Sequence, residues 1–217
     1  MAYLARLKHP FCSVSHLAGA AFALFGTIVL LSMARSPIAF VAFTLYGLSL
    51  IALYLASGVY HAITCEGERE TFLRKLDHTG IFLLIAGTYV PVCLLALPRV
   101  YGRPFLALEA LLALIGVIAT FTLRRFPEVL NVVLYLLMGW MAVPAIGWIA
   151  ENWPTYAIVL LVGGGIVYTI GAVIFAMDKP HLVPGRFSAH DLWHLFVLGG
   201  SVCHFLLMAT YVSGFPR

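Results

Sequence analysis

The chain has 217 residues, of which 62% are hydrophobic and 10% are charged, with a formal net charge of +4 at pH 7. Water-soluble domains typically carry about 25% charged residues, so this composition excludes a soluble enzyme and a disordered chain. The Lys and Arg residues are scattered between apolar segments and form no basic face, so nucleic acid is not expected as a partner. The chain is therefore predicted to be an integral membrane protein whose apolar side chains are surrounded by lipid.

Seven apolar stretches are long enough to cross a bilayer, which takes about 20 residues of helix. Their predicted bounds are Val14–Ala34, Ile38–Ile63, His78–Leu97, Pro104–Leu123, Val129–Ala150, Thr155–Met177 and Ala189–Val212. They are hydrophobic all round, which excludes amphipathic surface helices and the alternating strands of a membrane barrel. The predicted fold is an all-α bundle of seven transmembrane helices, forming one domain over residues 1–217.

The positive charges of the loops predict the orientation of the bundle. The N-terminal segment and the second, fourth and sixth loops carry Arg6, Lys8, Arg69, Arg74, Lys75, Arg124, Arg125, Lys179 and Arg186. The opposite side carries Arg35, Arg99, Arg103 and Arg217. The positive-inside rule then places the N-terminus in the cytoplasm, and we expect a multi-pass protein of the cell (inner) membrane.

Prolines, glycines and cysteines give further expectations. Pro91 and Pro144 are expected to kink the third and fifth spans. The sixth span contains glycines that allow close helix approach, namely Gly163, Gly164, Gly165 and Gly171. The cysteines lie far apart without a CxxC pair, so they are interpreted as buried thiols and no disulfide framework is expected; they are Cys12, Cys65, Cys93 and Cys203.

The start of the seventh span has the spacing of a metal-binding helix. Ser188 and Asp191 resemble a capping box, which predicts a helix that begins at Ala189. His190 and His194 are four residues apart, so they share one helix face and lie about 6 Å apart along the axis. Two imidazoles at this spacing can bind one metal ion.

The end of the second span brings a third histidine to the same membrane depth. Ser57 and His61 are also four residues apart and share a face. With the predicted orientation, His61 lies at the cytoplasmic boundary with His190 and His194. Three histidines and a water form a catalytic-type zinc site with one open position, where the water acquires a pKa of about 7. The sequence therefore predicts a metal site held by these three histidines, with zinc as the expected ion, although iron, copper or nickel could also bind there.

Simpler interpretations remain open for the polar residues around this site. Asp77 and His78 are predicted to open the third span, where Asp77 could simply cap the helix. Ser57 could bond within its own helix, and His61 could face lipid headgroups. His78 could lie outside the bundle or bond a backbone carbonyl.

The sequence gives less specific predictions for two other histidines and for a charged segment. His16 lies near the start of the first span, on the side of the predicted site. His204 is about 15 Å further along its helix than His194, so it is expected to be a buried polar contact or part of a substrate channel. The charged residues from Glu66 to Lys75 are interpreted as a solvated loop or a short surface helix.

Three segments resemble the bacterial hemolysin III proteins of the progestin and adipoQ receptor family: Ser57–His61, Leu76–Pro91 and His190–Val197. The similarity extends over essentially the whole chain. It implies seven helices, a cytoplasmic N-terminus and an intramembrane zinc ion bound by His61, His190 and His194, with Ser57 and Asp77 beside it. The wider group includes alkaline ceramidases and receptors, and its bacterial members are linked to haemolysis and membrane homeostasis.

The leading hypothesis is zinc-dependent hydrolysis of a lipid amide or ester, with membrane lipids as partners. Asp77 would orient the water or accept its proton, and Ser57 would hydrogen-bond the water or the oxyanion. The alternatives are non-enzymatic: a structural zinc that joins two helices, a lipid sensor or receptor-like protein, and a haemolytic pore. The sequence does not predict the oligomeric state.

Overall fold

The computed structural model describes residues 7–123, 127–183 and 187–215. The α-helices of these residues are α1 (Pro10–Met33), α2 (Pro37–Ala62), α3 (Gly67–Pro91), α4 (Arg99–Thr122), α5 (Glu128–Gly139), α6 (Ile146–Asn152), α7 (Thr155–Met177) and α8 (Ala189–Thr210). Seven segments of the described chain are long and apolar enough to span a membrane, with α5 and α6 together forming the fifth. The predicted all-α, seven-span fold is confirmed.

The orientation of the bundle remains a prediction. Part of the charge pattern on which it depends lies outside the described residues, namely Arg6, Arg124, Arg125, Arg186 and Arg217.

Local sequence explains where several helices begin. Proline occupies the first turn of α1 and α2, where its missing N–H costs nothing. The Ser36 side chain accepts a hydrogen bond from the backbone N–H of Ala39 and caps α2. At the start of α8, Ser188 and Asp191 form the predicted capping box, with both reciprocal hydrogen bonds present. The first residue of α8 is therefore fixed just ahead of its two histidines.

The third helix corrects two expectations. It begins at Gly67 and not at His78, so most of the charged segment expected to form a loop belongs to the helix. Glu, Lys and Arg are good helix formers, and the acidic residues Glu68 and Glu70 stand in the first turn, where the helix dipole favours them. Asp77 therefore lies ten residues inside α3, and its interpretation as a helix cap is wrong.

Regular α-helix is interrupted at both prolines where a kink is predicted. Pro91 ends α3, and Val92–Ala96 continue it as a π-helical turn. Pro144 stands in the 3₁₀ segment Val143–Ala145 between α5 and α6. The Tyr89 hydroxyl donates to the Gly139 carbonyl at 3.1 Å and accepts from the Ala142 N–H at 3.0 Å. It thereby satisfies backbone groups at the break, as buried membrane backbone requires.

The helices pack mainly against their sequence neighbours, and α8 also contacts α1. Two glycines let α2 approach the helices on either side of it. A Cβ added at Gly58 would lie 2.8 Å from the Leu17 side chain on α1, and one at Gly80 of α3 would lie 2.9 Å from the Leu53 Cα. These close contacts hold the starts of α1 and α3 against the end of α2, where the predicted site residues lie.

Candidate metal centre

One end of the bundle gathers a cysteine and three histidines from three helices. Cys12 of α1, His61 of α2, and His190 and His194 of α8 each offer a ligand atom, and these atoms all lie within 4.8 Å of one another. We call them the Cys–His cluster. It could hold a metal ion. All three predicted histidines therefore converge, joined by a residue that was not expected.

The spacing of the nitrogens suits a tetrahedral ion. The Nε2 atoms of His61 and His190 are 3.3 Å apart. This separation is compatible with a hydrogen bond, and it also matches two ligands of one zinc ion: Zn–N bonds of 2.0–2.1 Å place two tetrahedral nitrogens about 3.3–3.5 Å apart. The remaining ligand pairs would need to contract by about 1.5 Å at most.

Burial supports a ligand role for two of the imidazoles. His61 and His194 are 2% and 1% exposed. Their Nδ1 atoms have no hydrogen-bond partner within the described residues. A buried polar atom without a partner is costly, so hydrogen bonds within the described residues do not explain why these two rings are buried side by side.

Backbone and side-chain contacts fix the helix ends that carry the cluster. The His9 N–H donates to the His61 carbonyl at 2.9 Å, and the Ser13 hydroxyl donates to the Gly58 carbonyl at 3.1 Å. Just before α1, Lys8 Nζ lies 2.6 Å from Glu70 of α3, and this hydrogen bond raises the pKa of the Lys8 ammonium. The starts of α1 and α3 are thus tied to each other and to the end of α2.

The two predicted catalytic residues lie beside the cluster. Asp77 Oδ2 is 3.9 Å from His61 Nε2, and the Asp77 side chain is 13% exposed. The buried Ser57 hydroxyl lies next to the Asp77 carboxyl. Both residues line one small cavity with His190 and His194. A carboxylate and a hydroxyl therefore face the space beside the candidate metal position.

Sequence reasoning missed the contribution of α1. Cys12 was interpreted only as a buried thiol. All four cysteines are free thiols, as predicted, but only Cys12 and Cys93 are buried, whereas Cys65 and Cys203 are partly exposed. The buried His16 ring lies 3.8 Å from the His194 ring, centroid to centroid. A signal was present: Cys12 and His16 are four residues apart, the same spacing as the pairs in α2 and α8.

The other two histidines have separate surroundings. His78 lines the same cavity, so it does not lie outside the bundle; its Nδ1 accepts from the Asn131 amide at 3.4 Å. His204 Nε2 lies 3.2 Å from the Leu161 carbonyl of α7, and its side chain lines two further cavities. His204 therefore makes the polar contact expected from the sequence, although it is only partly buried, and its role in a substrate channel remains a prediction.

Three adjoining cavities lead away from the cluster. The first, of about 40 Å³, borders Ser57, Asp77 and the α8 histidines. The second, of about 80 Å³, shares walls with the first at Tyr135 and Trp193. The third, of about 60 Å³, shares Trp140 with the second. We call them the cavity row. It lies between α3, α5, α7 and α8 and has mainly apolar walls.

Some glycines of α7 allow close packing against α8, and others border open space. A Cβ at Gly164 or Gly171 would lie about 2.5 Å from a side chain of α8, so these two allow the close approach that was predicted. Gly165 instead lines the second and third cavities. A Cβ at Gly163 would meet nothing within 4 Å in the described structure. One turn of α7 therefore contributes to both the helix interface and the cavity row.

Comparison with known proteins agrees with this architecture. A family model described as "Haemolysin-III related" matches residues 5–205. The chain is 38% identical over 204 residues to hemolysin-3 of Bacillus cereus, covering 92% of this chain and 90% of that protein. It is 35% identical over 177 residues to the hemolysin-3 homolog of Bacillus subtilis (strain 168), covering 81% and 79%.

A more distant relative is the human monocyte to macrophage differentiation factor. It is 28% identical over 176 residues, and the matched region covers 79% of this chain and 71% of that protein. No solved structure matches the chain. With a family model matching nearly the whole chain and two bacterial relatives above 30% identity, the chain belongs to the haemolysin-III family and is related to mammalian members of the progestin and adipoQ receptor family.

Proposed function

We propose that this membrane protein hydrolyses an amide or ester bond of a lipid with the help of a zinc ion bound by His61, His190 and His194. The observation that carries the proposal is the position of the Cys–His cluster at the end of a largely apolar cavity row, with Asp77 and Ser57 on the wall between them. A site for water chemistry and a site for an apolar chain therefore adjoin.

The donor set fits zinc. Imidazole nitrogens and a thiol are ligands that zinc prefers, and a catalytic zinc site commonly has three protein ligands and one open position. When bound, zinc supplies Lewis acidity, which activates water and polarises a carbonyl. Hard cations such as Mg²⁺ and Ca²⁺ select oxygen ligands instead, and the cluster offers none.

The surrounding residues supply the remaining chemistry. Asp77, 3.9 Å from His61, accepts the proton of the attacking water. The Ser57 hydroxyl donates a hydrogen bond to the oxyanion that develops on the substrate carbonyl. The first cavity, at about 40 Å³, has room for water next to these groups. The two further cavities accept part of an acyl chain and keep bulk water away from it.

The predicted orientation places this chemistry at the cytoplasmic boundary of the cell membrane, with lipid reaching it from within the bilayer. Haemolysis appears in the names of the bacterial relatives. A pore would require a continuous polar lining, whereas the cavities of the described residues have mainly apolar walls. The geometry therefore favours lipid chemistry over a channel.

The experiment uses the purified protein in lipid nanodiscs, with metal content measured by elemental analysis and hydrolysis followed with fluorescent N-acyl and O-acyl lipids. Wild type is expected to hold one zinc per chain and to release fatty acid. His194→Ala should lose both metal and hydrolysis. The matched control is His181→Ala, since the His181 side chain is 48% exposed between α7 and α8. Full zinc occupancy in His194→Ala would refute the site, and a metal-loaded wild type that releases no fatty acid from either lipid would refute the activity.

A structural metal is the second candidate, and a specific observation favours it: Cys12 gives the cluster four possible protein ligands, the number typical of closed structural sites. If the metal is structural, a chelator should lower the unfolding temperature of the wild-type protein, and the metal-loaded protein should hydrolyse neither lipid. Both measurements can be made on the same preparation, and together they distinguish the two functions.

A further inference from the structure

We propose that Cys12 is the fourth ligand of the metal, so that the resting centre is a closed Cys–His₃ site and the thiolate must leave before the metal can take part in hydrolysis. This inference deepens the proposed function and rests on it in one respect, the presence of a metal in the cluster. It assigns a regulatory role to the first helix.

The position of the sulfur supports ligation. Cys12 is 2% exposed, and its Sγ belongs to the group of four atoms that lie within 4.8 Å of one another. A Zn–S bond of about 2.3 Å is slightly longer than a Zn–N bond, so a sulfur ligand can lie slightly further from the shared centre than the nitrogens do. Three imidazoles converging on the same point provide the independent evidence for a ligand there.

The Cys12 thiol also has a hydrogen-bond partner that would hold it when it does not bind the metal. Cys12 Sγ donates to Asp191 Oδ1 at 3.2 Å. Asp191 Oδ2 is fixed by the backbone N–H and hydroxyl of Ser188, both at 2.8 Å. On ligation the S–H bond would break, the proton would leave to solvent, and the sulfur electron pair would form the bond to the metal. On release the same steps run in reverse.

The cavity approaches the cluster from a different side. The first cavity is lined by Ser57, Asp77, His190 and His194, and Cys12 is absent from its lining. The thiolate would therefore reach the metal from outside this cavity. Substrate entering the cavity would compete with the sulfur for the metal without colliding with it, and the released thiol would return to Asp191.

The test uses the full chain loaded with Co²⁺ in place of zinc, because a thiolate ligand gives cobalt a strong near-ultraviolet charge-transfer band that imidazole does not give. We expect this band in wild type and its loss in Cys12→Ser, with one cobalt per chain retained. The control is Cys203→Ser, on α8 but about 14 Å along the helix from His194, which should keep the band. Cys12→Ala guards against a serine oxygen binding in place of the sulfur, and it should also lack the band.

The outcomes separate this inference from the proposed function. A wild type that binds one cobalt without the band, or a Cys12→Ser protein that keeps it, would overturn the role of Cys12 and leave the three-histidine site intact. The expected band together with no hydrolysis by any variant would support Cys12 ligation and refute the enzyme. If both proposals hold, Cys12→Ser should hydrolyse lipid faster than wild type.

Discussion

The bundle has one side whose helices are largely buried, which we call the dense side, and one whose helices are largely exposed, which we call the loose side, and the candidate site lies where they meet. In the most apolar stretch of each span, 50% of the residues of α2 and 61% of those of α3 are buried, against 22% for α4 and 17% for α7. The dense side, α1 to α3, supplies Cys12, His61 and Asp77, while α8 adds the remaining histidines. The looser helices α5 and α7 supply much of the opposite wall of the cavity row.

This division suits the two tasks that the proposed reaction requires. Metal ligands must be held in one geometry, which close-packed helices with glycine contacts can do. A lipid chain needs space with apolar walls, and α5 and α7 line such space in the cavity row. The comparison predicts that substitutions on the dense side change the metal and the chemistry, whereas substitutions on the loose side change which lipid is accepted.

Asp77→Asn should have the largest effect on the reaction after loss of a metal ligand. It keeps the size of the side chain and removes the proton acceptor, so zinc content should stay at one per chain while kcat falls about 10²–10⁴-fold. The control is Asp178→Asn, since the Asp178 side chain is 78% exposed after α7. Zinc analysis and kcat measured on the same preparation check this, and an unchanged kcat would remove Asp77 from the mechanism.

Gly165→Leu tests the loose side. The new side chain would fill space in the second and third cavities, so hydrolysis of long-chain lipids should fall about tenfold or more, with metal content and short-chain hydrolysis retained. Gly163→Leu is the matched control two residues away, where a Cβ meets nothing within 4 Å of the described structure. Equal loss for long and short chains would contradict a chain-binding role for the cavity row.

Gly80→Ala tests whether close packing positions Asp77. Its Cβ would lie 2.9 Å from the Leu53 Cα, a backbone atom that cannot rotate away, so overpacking should cost about 1–3 kcal/mol of stability. Because Asp77 is three residues earlier on α3, kcat should also fall while zinc stays bound. Gly147→Ala, where a Cβ meets open space, should change neither the unfolding temperature nor kcat. A Gly80→Ala protein of wild-type stability and kcat would show that α2 and α3 can separate freely.

Glu70→Gln should have the smallest effect. It replaces the partner that raises the pKa of Lys8. Because the pKa of Lys8 is higher in the folded than in the unfolded protein, the charged lysine stabilises the fold. This stabilisation is complete at pH values below the pKa of Lys8 in the unfolded chain, and it is lost as the pH rises through the pKa of Lys8 in the folded protein. The variant should therefore lower the unfolding temperature slightly at neutral pH, with the difference from wild type vanishing in strongly alkaline buffer. A difference that grew with pH would contradict this assignment.

The sequence predicted the spans and much of the site for identifiable reasons. Span length and all-round hydrophobicity predicted the seven crossings, and the capping box placed the start of α8 at Ala189. The i, i+4 spacing of His190 and His194 put both on one face, and helix alternation brought His61 to the same end. The spans, the capping box and the histidine spacing are local features of the sequence. The shared end of α2 and α8 follows from the number of membrane crossings between them.

Other features depended on contacts that a sequence pattern does not contain. The start of α3 was placed too late because hydropathy marks the apolar part of a helix and misses its charged first turns. Cys12 was overlooked because its role depends on how closely α1 approaches α8. The cavity row depends on the break at Pro144 and on which side of α7 presents Gly165, both of which are set by tertiary packing.

The proposed centre requires three imidazoles from α2 and α8 to bind one ion, and X-ray absorption at the zinc edge of the purified wild-type protein counts them. We expect one zinc per chain with three imidazole ligands at about 2.0–2.1 Å, and fewer imidazoles in His61→Ala. A zinc ion surrounded by oxygen alone, or a His61→Ala spectrum identical to that of wild type, would contradict it.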